Sequence, residues 1–189
     1  ALKCVMNRLD EMGVTEVYCL GDVVGYYSQV NECCDLLRER NIPTLMGNHD
    51  WYMAGGGFCP RSQSVNDCLE YQRTIISDEN LAWLKTLKLQ AEAHGVRMVH
   101  GGWANPVDEY IVKPTAEYFA QVEGNLFASG HTHVQRVVDF GDKIYCNPGS
   151  VGQPRDSDPR AAFATFDGSF SLHRVDYDRE RVFKLMDTA

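Results

Sequence analysis

The chain of 189 residues contains no apolar run near the ~20 residues a helix needs to cross a bilayer, so no transmembrane helix is expected. It also lacks positive charge. Eighteen Lys and Arg against 26 Asp and Glu leave a formal net charge of −8, which argues against non-specific binding to nucleic acid or to an anionic membrane. There is no C-x-x-C pair and no zinc-knuckle spacing among the seven cysteines, Cys4, Cys19, Cys33, Cys34, Cys59, Cys68 and Cys146. Their odd count and apolar neighbours point to free, buried thiols in a reducing cytosol rather than to a disulfide framework. The glycine-rich stretch "MAGGGFCPRSQS" lacks the helix-opening pattern of a phosphate-binding loop. Repeats, linkers and low-complexity tracts are missing as well. An acidic protein that handles anionic substrates needs local positive charge, most simply from bound metal ions.

What is present suits one globular domain spanning residues 1–189, with 44% apolar and 23% charged residues. The opening "ALKCVMNRLDEMGV" has Leu2, Val5, Met6, Leu9 and Met12 at helical spacing, and the chain is expected to start inside this helix, as a fragment would. "TEVYCLGD" predicts a buried strand, "NECCDLLRER" a helix capped by Asn31, and "IPTLMGNHD" a second strand. This β-α-β rhythm implies a parallel sheet, with ligands gathering at the carboxyl ends of its strands. "SVNDCLEYQRTI" and "SDENLAWLKTL" predict helices, the second capped by Ser77. "EAHGVRMVHGG" predicts a hairpin turning at His94–Gly95, "TAEYFAQVEG" a helix and "NLFASGHTH" a strand. Two further hairpins, "VQRVVDFGDKIYCN" and "AAFATFDGSFSLHRVDYD", precede a closing helix in "RERVFKLM".

Four of the six histidines (His49, His100, His131, His133) stand in glycine punctuation after apolar runs. His94, in a turn, and His173, in a solvent-facing alternation, are expected at the surface. Asp22 in "LGDVVG", with Asn48 and Asp50 in "GNHD", joins the set. Each signal alone has an ordinary reading: "GD" is a common turn, and His-x-His can be a surface pair. In an extended segment His131 and His133 would point the same way, towards shared or adjacent metals. Together, four glycine-flanked strand ends present oxygen or imidazole donors, with no cysteine among them. Such donors suit Mn²⁺, Fe²⁺, Zn²⁺ or Ni²⁺, with Mn²⁺ favoured.

"GDVVG", "GNHD", "VHGG" and "GHTH", in that order, resemble the calcineurin-like metallophosphoesterase superfamily. The tail "NPGSVGQPRDSDPRAAFATFD" resembles its small bacterial and archaeal phosphodiesterases. The resemblance implies an α/β fold of four layers, α-β-β-α, with two central mixed sheets flanked by helices and two divalent ions between the sheet edges. It implies that Asp22 bridges both ions, that Asn48, His100 and His131 complete one position, and that His133 serves the other. His49 would face the substrate as general acid or transition-state stabiliser. Asp50 either orients it or caps a helix, and Arg155 in "GQPRD" is expected to contact a substrate phosphate. The implied reaction is attack on phosphorus by a metal-bound hydroxide, hydrolysing a small phosphate ester, with a phosphodiester expected. Membrane partners are not expected, and homo-oligomerisation is left open.

The sequence departs from the family at its first motif, Asp-x-His, which is absent. The expectation is a missing N-terminal strand of about ten residues, which would leave the second metal position short of two ligands. The competing class is a weakly active or inactive scaffold on the same fold. Trp51, Tyr52, Trp103 and Tyr110, in the loops at 51–76 and 103–118, either stack on a substrate or pack, and packing is the expectation.

Overall fold

The computed structural model describes residues 1–187. Its largest sheet has five strands: β1 (Gln90–Ala93), β2 (Val96–Val99), β3 (Leu126–Ser129), β4 (Arg136–Asp139) and β5 (Ile144–Asn147). Their order is β1-β2-β3-β5-β4, with β2, β3 and β5 parallel and the outer strands β1 and β4 antiparallel. A second sheet is the hairpin of β6 (Ala161–Phe166) and β7 (Phe170–Val175). His94 and Gly95 both have positive φ, as the two-residue turn between β1 and β2 requires.

Period-two alternation sorts the side chains into layers. On one face of the large sheet, Val96, Met98 and Ala128 meet Leu45 and the aromatic rings of Phe166 and Phe170 from the hairpin. On the other face, Phe127 and Tyr145 pack against Phe119 of helix α6 (Ala116–Ala120). The hairpin's outer side is covered by α1 (Leu2–Glu11), whose Val5, Met6 and Leu9 reach Ala161 and Phe163. The result is the expected α-β-β-α layering. A further apolar core joins α2 (Val30–Glu39), α3 (Asn48–Gly55), α4 (Gln63–Ile75) and α5 (Asp78–Leu84). Helix α7 (Arg179–Asp187) closes the described chain.

Two expected strands differ. Residues 14–20 and 42–46 are extended but form only isolated parallel bridges, Cys19 with Thr44 and Leu45 with Lys88. The first segment has 43–45 along one edge, while its other side faces a cleft of about 800 Å³ lined by Val5, Leu9, Val17, Leu20 and Phe163. A ladder with one neighbour over two or three residues does not register as a regular strand.

Other details also depart from expectation. Asn31 does not cap α2, which begins at Val30. Its side chain instead donates to the Ile75 carbonyl and accepts from the Ser77 N–H, tying α2 to α5. His173 is half-buried, stacked on Phe163 at 4.9 Å and bonded to Thr165, because β7 turns that face towards the core. His94 is exposed beside Glu16. All seven cysteines are free thiols, with Cys34, Cys59 and Cys146 buried.

Candidate metal centre

"GNHD" supplies the first turn of α3, so Asn48, His49 and Asp50 leave a helix N-terminus rather than a strand. Gly47 precedes them because there is no room for a side chain: a Cβ there would lie 2.1 Å from Asp22 Oδ1. The fully buried Asp50 carboxylate accepts four backbone N–H groups, from Asp22 (2.8 Å), Gly47 (2.9 Å), Val23 (3.0 Å) and Val24 (3.3 Å). Of its two expected roles the structure shows the capping one, and it shows no contact between the Asp50 carboxylate and the His49 ring. It fastens α3 to the Asp22 turn, holding that residue in a left-handed conformation (φ 55°).

Around His100 the donors converge. Its Nδ1 lies 2.8 Å from the Leu20 carbonyl, which can only accept, so Nδ1 carries the hydrogen. The other nitrogen, Nε2, is 3.1 Å from His131 Nδ1 and 3.3 Å from both Asn48 Oδ1 and Asp22 Oδ2. Asp22, His100 and His131 thus offer ligand atoms all within 4.8 Å of one another. Lone pairs aimed at one another in a buried site are costly unless a cation or proton lies between them. Donors bound to one ion at 2.0–2.1 Å are about 3.0–3.4 Å apart, the spacing seen here, so these residues fit a first-row divalent metal.

His131 and His133 do not lie in an extended segment. Both have left-handed φ angles, 61° and 59°, where the chain leaves β3. Strain of this kind at non-glycine residues is tolerated where surrounding structure over-determines it, and it clusters at functional sites. His133 Nδ1 donates to the Gln153 carbonyl at 2.8 Å, leaving Nε2 as the lone-pair nitrogen, but His133 stands outside the three-residue cluster. His131 Nε2 is buried without a hydrogen-bond partner, 3.8 Å from Asp108, with the Tyr110 ring against its imidazole at 3.7 Å. Asp108 is held in turn by a bidentate pair with Arg61.

Electrostatics favour neutral imidazoles at His131 and His133. Burial, then the neighbouring His100, pushes His131 down to about 3, and burial, then Arg155, pushes His133 down to about 4. Burial also lowers His49. Burial alone would lower His100, but the charge and hydrogen bond of Asp22 raise it. Burial works to raise Asp22, yet His100 holds that carboxyl well below its ordinary range. Asp50 moves up, through burial and the charge of Asp22.

His49 is placed apart from this cluster. Its backbone N–H donates to Asp22 Oδ1 at 3.0 Å, while its ring packs on Tyr26 at 4.9 Å. Its Nδ1 has no partner because it lies against Gly25, where a Cβ would be only 1.7 Å away. Arg155 is exposed and donates to Gln153 Oε1 and to the Tyr26 hydroxyl, both neutral acceptors. Among the described residues it has no carboxylate partner. Sequence reasoning missed Tyr26, Arg61 and Asp108. Only the position of Tyr26, directly after "GDVVG", gave any local signal. Of the four aromatics, Trp103 packs on Phe119 and Phe127, Tyr52 is half-buried in the helical core, Trp51 is exposed and Tyr110 covers His131.

Comparison with known proteins agrees with this fold. The calcineurin-like phosphoesterase superfamily domain matches residues 1–169. An uncharacterized protein of Methanocaldococcus jannaschii, MJ0912, is 30% identical over 211 residues, covering 97% of this chain and 85% of the relative. The crystal structure of a metallophosphoesterase from Sphaerobacter thermophilus superposes with a TM-score of 0.83 at 29% identity, covering 99% of this chain and 87% of that one. The fold of a hypothetical protein, PH1004, from Pyrococcus horikoshii is similar too, with a TM-score of 0.84, 20% identity and the same coverage. With four ordered motifs, buried donors gathered around His100 and a family match across most of its length, the chain belongs to the calcineurin-like phosphoesterase superfamily of metal-dependent hydrolases.

Proposed function

We propose that this chain is a phosphodiesterase with a dinuclear centre, Mn²⁺ being the favoured ion. Asp22, Asn48, His100 and His131 hold one ion, and Asp22 and His133 contribute to the second. The observation that carries this reading is the convergence of Asp22, Asn48 and His131 donor atoms on His100 Nε2. Bound divalent ions supply Lewis-acid charge for the phosphoryl oxygens and bring a water's pKa towards neutrality. The chain's own residues do the rest. The carbonyls of Leu20 and Gln153 fix the tautomers of His100 and His133, aiming both Nε2 lone pairs away from their anchors. His49, off the metal cluster, donates a hydrogen bond or proton to the departing oxygen. Arg155 neutralises a substrate phosphate, and Asp50 positions Asp22 through the backbone rather than touching the substrate. The substrate class is a small phosphate ester, and the free thiols favour the cytosol as the location.

Hydrolysis of bis(p-nitrophenyl) phosphate tests this directly. Turnover is expected only with added Mn²⁺. His100→Ala should lose metal stimulation, and His49→Ala should slow turnover by about 10²–10⁴ while keeping Mn²⁺ affinity. A wild-type protein without metal-stimulated turnover, or a His49→Ala variant at the wild-type rate, refutes the reading.

A further inference from the structure

Among the described residues, Tyr26 is in contact with both groups assigned above to the substrate. Its ring lies 4.9 Å from the His49 imidazole at an interplanar angle of 44°, and its hydroxyl accepts from Arg155 Nη2 at 3.2 Å. We propose that Tyr26 is a positioning residue which sets His49 and Arg155 at a fixed separation across the substrate site; this rests on the phosphoesterase reading above.

Both ends of the bridge are fastened. The fully buried Gln72 holds the loop that carries Tyr26, accepting the Gly25 N–H at 2.7 Å and donating to the carbonyls of Tyr26 (3.1 Å) and Tyr27 (2.7 Å). The same loop presents Gly25 to the His49 ring, so one buried amide registers two contacts with His49. At the other end, the Arg155 N–H donates to the His133 carbonyl at 3.0 Å, while the Gln153 carbonyl accepts from His133 Nδ1. Arg155 is thereby registered to His133 through the backbone and to His49 through Tyr26.

Among the described residues, the guanidinium is held only by neutral acceptors, Gln153 Oε1 and the Tyr26 hydroxyl. This differs from Arg61, whose charge is matched by Asp108. A long cationic side chain restrained without being neutralised is prepared for an incoming anion, because ordering it on binding costs less. Removing the hydroxyl alone loosens Arg155 and leaves the ring on His49. Removing the ring disturbs both.

The test uses the full chain with Mn²⁺ and compares Tyr26→Phe, Tyr26→Leu, Arg155→Gln and the Tyr26→Phe/Arg155→Gln double variant. Tyr26→Phe should raise KM for bis(p-nitrophenyl) phosphate about three- to tenfold, with kcat within about twofold, as loss of one restraint on a charged group implies. Calorimetric affinity for inorganic phosphate should fall by a similar factor, with Mn²⁺ affinity and the urea midpoint unchanged. Tyr26→Leu should lower kcat as well. The double variant should bind phosphate no more weakly than Arg155→Gln alone, the non-additivity of two residues acting through one contact. Additive losses overturn the proposal, and so does a Tyr26→Phe protein with wild-type KM and phosphate affinity while Arg155→Gln loses both. If the wild type hydrolyses no phosphodiester, the phosphodiesterase reading falls. The phosphate titrations still decide whether Tyr26 holds Arg155 for an anion.

Discussion

Replacing Asp50 by Asn separates a structural carboxylate from a catalytic one. Oδ2 accepts the N–H groups of Asp22 and Gly47, and Oδ1 those of Val23 and Val24. An Asn side chain has the same shape, but its NH₂ must replace one of these oxygens. Whichever way it turns, two buried N–H donors lose their acceptor and face another donor. Two charge-assisted hydrogen bonds contribute about 3–6 kcal/mol. Part of that is offset, because the neutral amide removes a buried charge that Asp22 repels. The net loss is about 2–4 kcal/mol, a large share of a typical domain's 5–15 kcal/mol. In urea this lowers the unfolding midpoint by about 1–2 M at an m-value near 2 kcal/mol/M. Because the same carboxylate fixes the Asp22 turn, Mn²⁺ affinity by calorimetry should drop at least about tenfold. A variant with a wild-type urea midpoint and wild-type Mn²⁺ affinity that had nonetheless lost turnover would refute this account and restore a catalytic role to Asp50.

Gly25→Ala should displace the His49 ring, since the new methyl would start 1.7 Å from Nδ1 on a backbone with φ 104°. Turnover should fall at least about tenfold while Mn²⁺ affinity stays within about threefold, and an unchanged rate would show that His49 does not act from this position. Acid should destabilise the metal-free protein. The folded-state pKa values of His131 (about 3) and His133 (about 4) lie below the ordinary 6.5, so between about pH 6.5 and 4 the unfolded chain binds more protons at these sites and stability falls. The two together give at most about 2.7 kcal/mol per pH unit. This is reduced above and around pH 6.5 by His100 and, between about pH 6 and 4, by Asp50, whose raised pKa values act in the opposite sense and offset part of the slope without cancelling it. Urea midpoints across this range measure it, and a flat profile would contradict the buried, neutral state of both imidazoles.

The metal-type donors were legible in the sequence because each is a local matter. A polar residue beside a glycine at the end of an apolar run announces a turn at a strand end, and His100 in "VHGG" and Asp22 in "LGDVVG" both carry that signal. Amphipathic spacing likewise gave α1, α4 and α5, and the glycine turns gave the three hairpins. The segments around Cys19 and Leu45 were expected to be buried strands; 42–46 is largely buried, but none of residues 14–20 is. Because ladder formation depends on neighbours distant in the chain, the first found one bridge and the second two.

Composition and spacing therefore determined the α/β character, the donor types and the stretches that present them, since these follow from periodicity and turn chemistry within a few residues. The four-layer sandwich was implied by the family resemblance of the ordered motifs. Which lone pairs meet was decided only by the tertiary structure. The left-handed backbone at Asp22, His131 and His133 redirects side chains in a way that no two-residue periodicity encodes. The use of Asp50 as an anchor for four N–H groups depends on a turn 26–28 residues away. Tyr26 reaches Arg155 across 129 residues of chain, a contact that arises only once Gln72 and His133 have fixed the loops at either end.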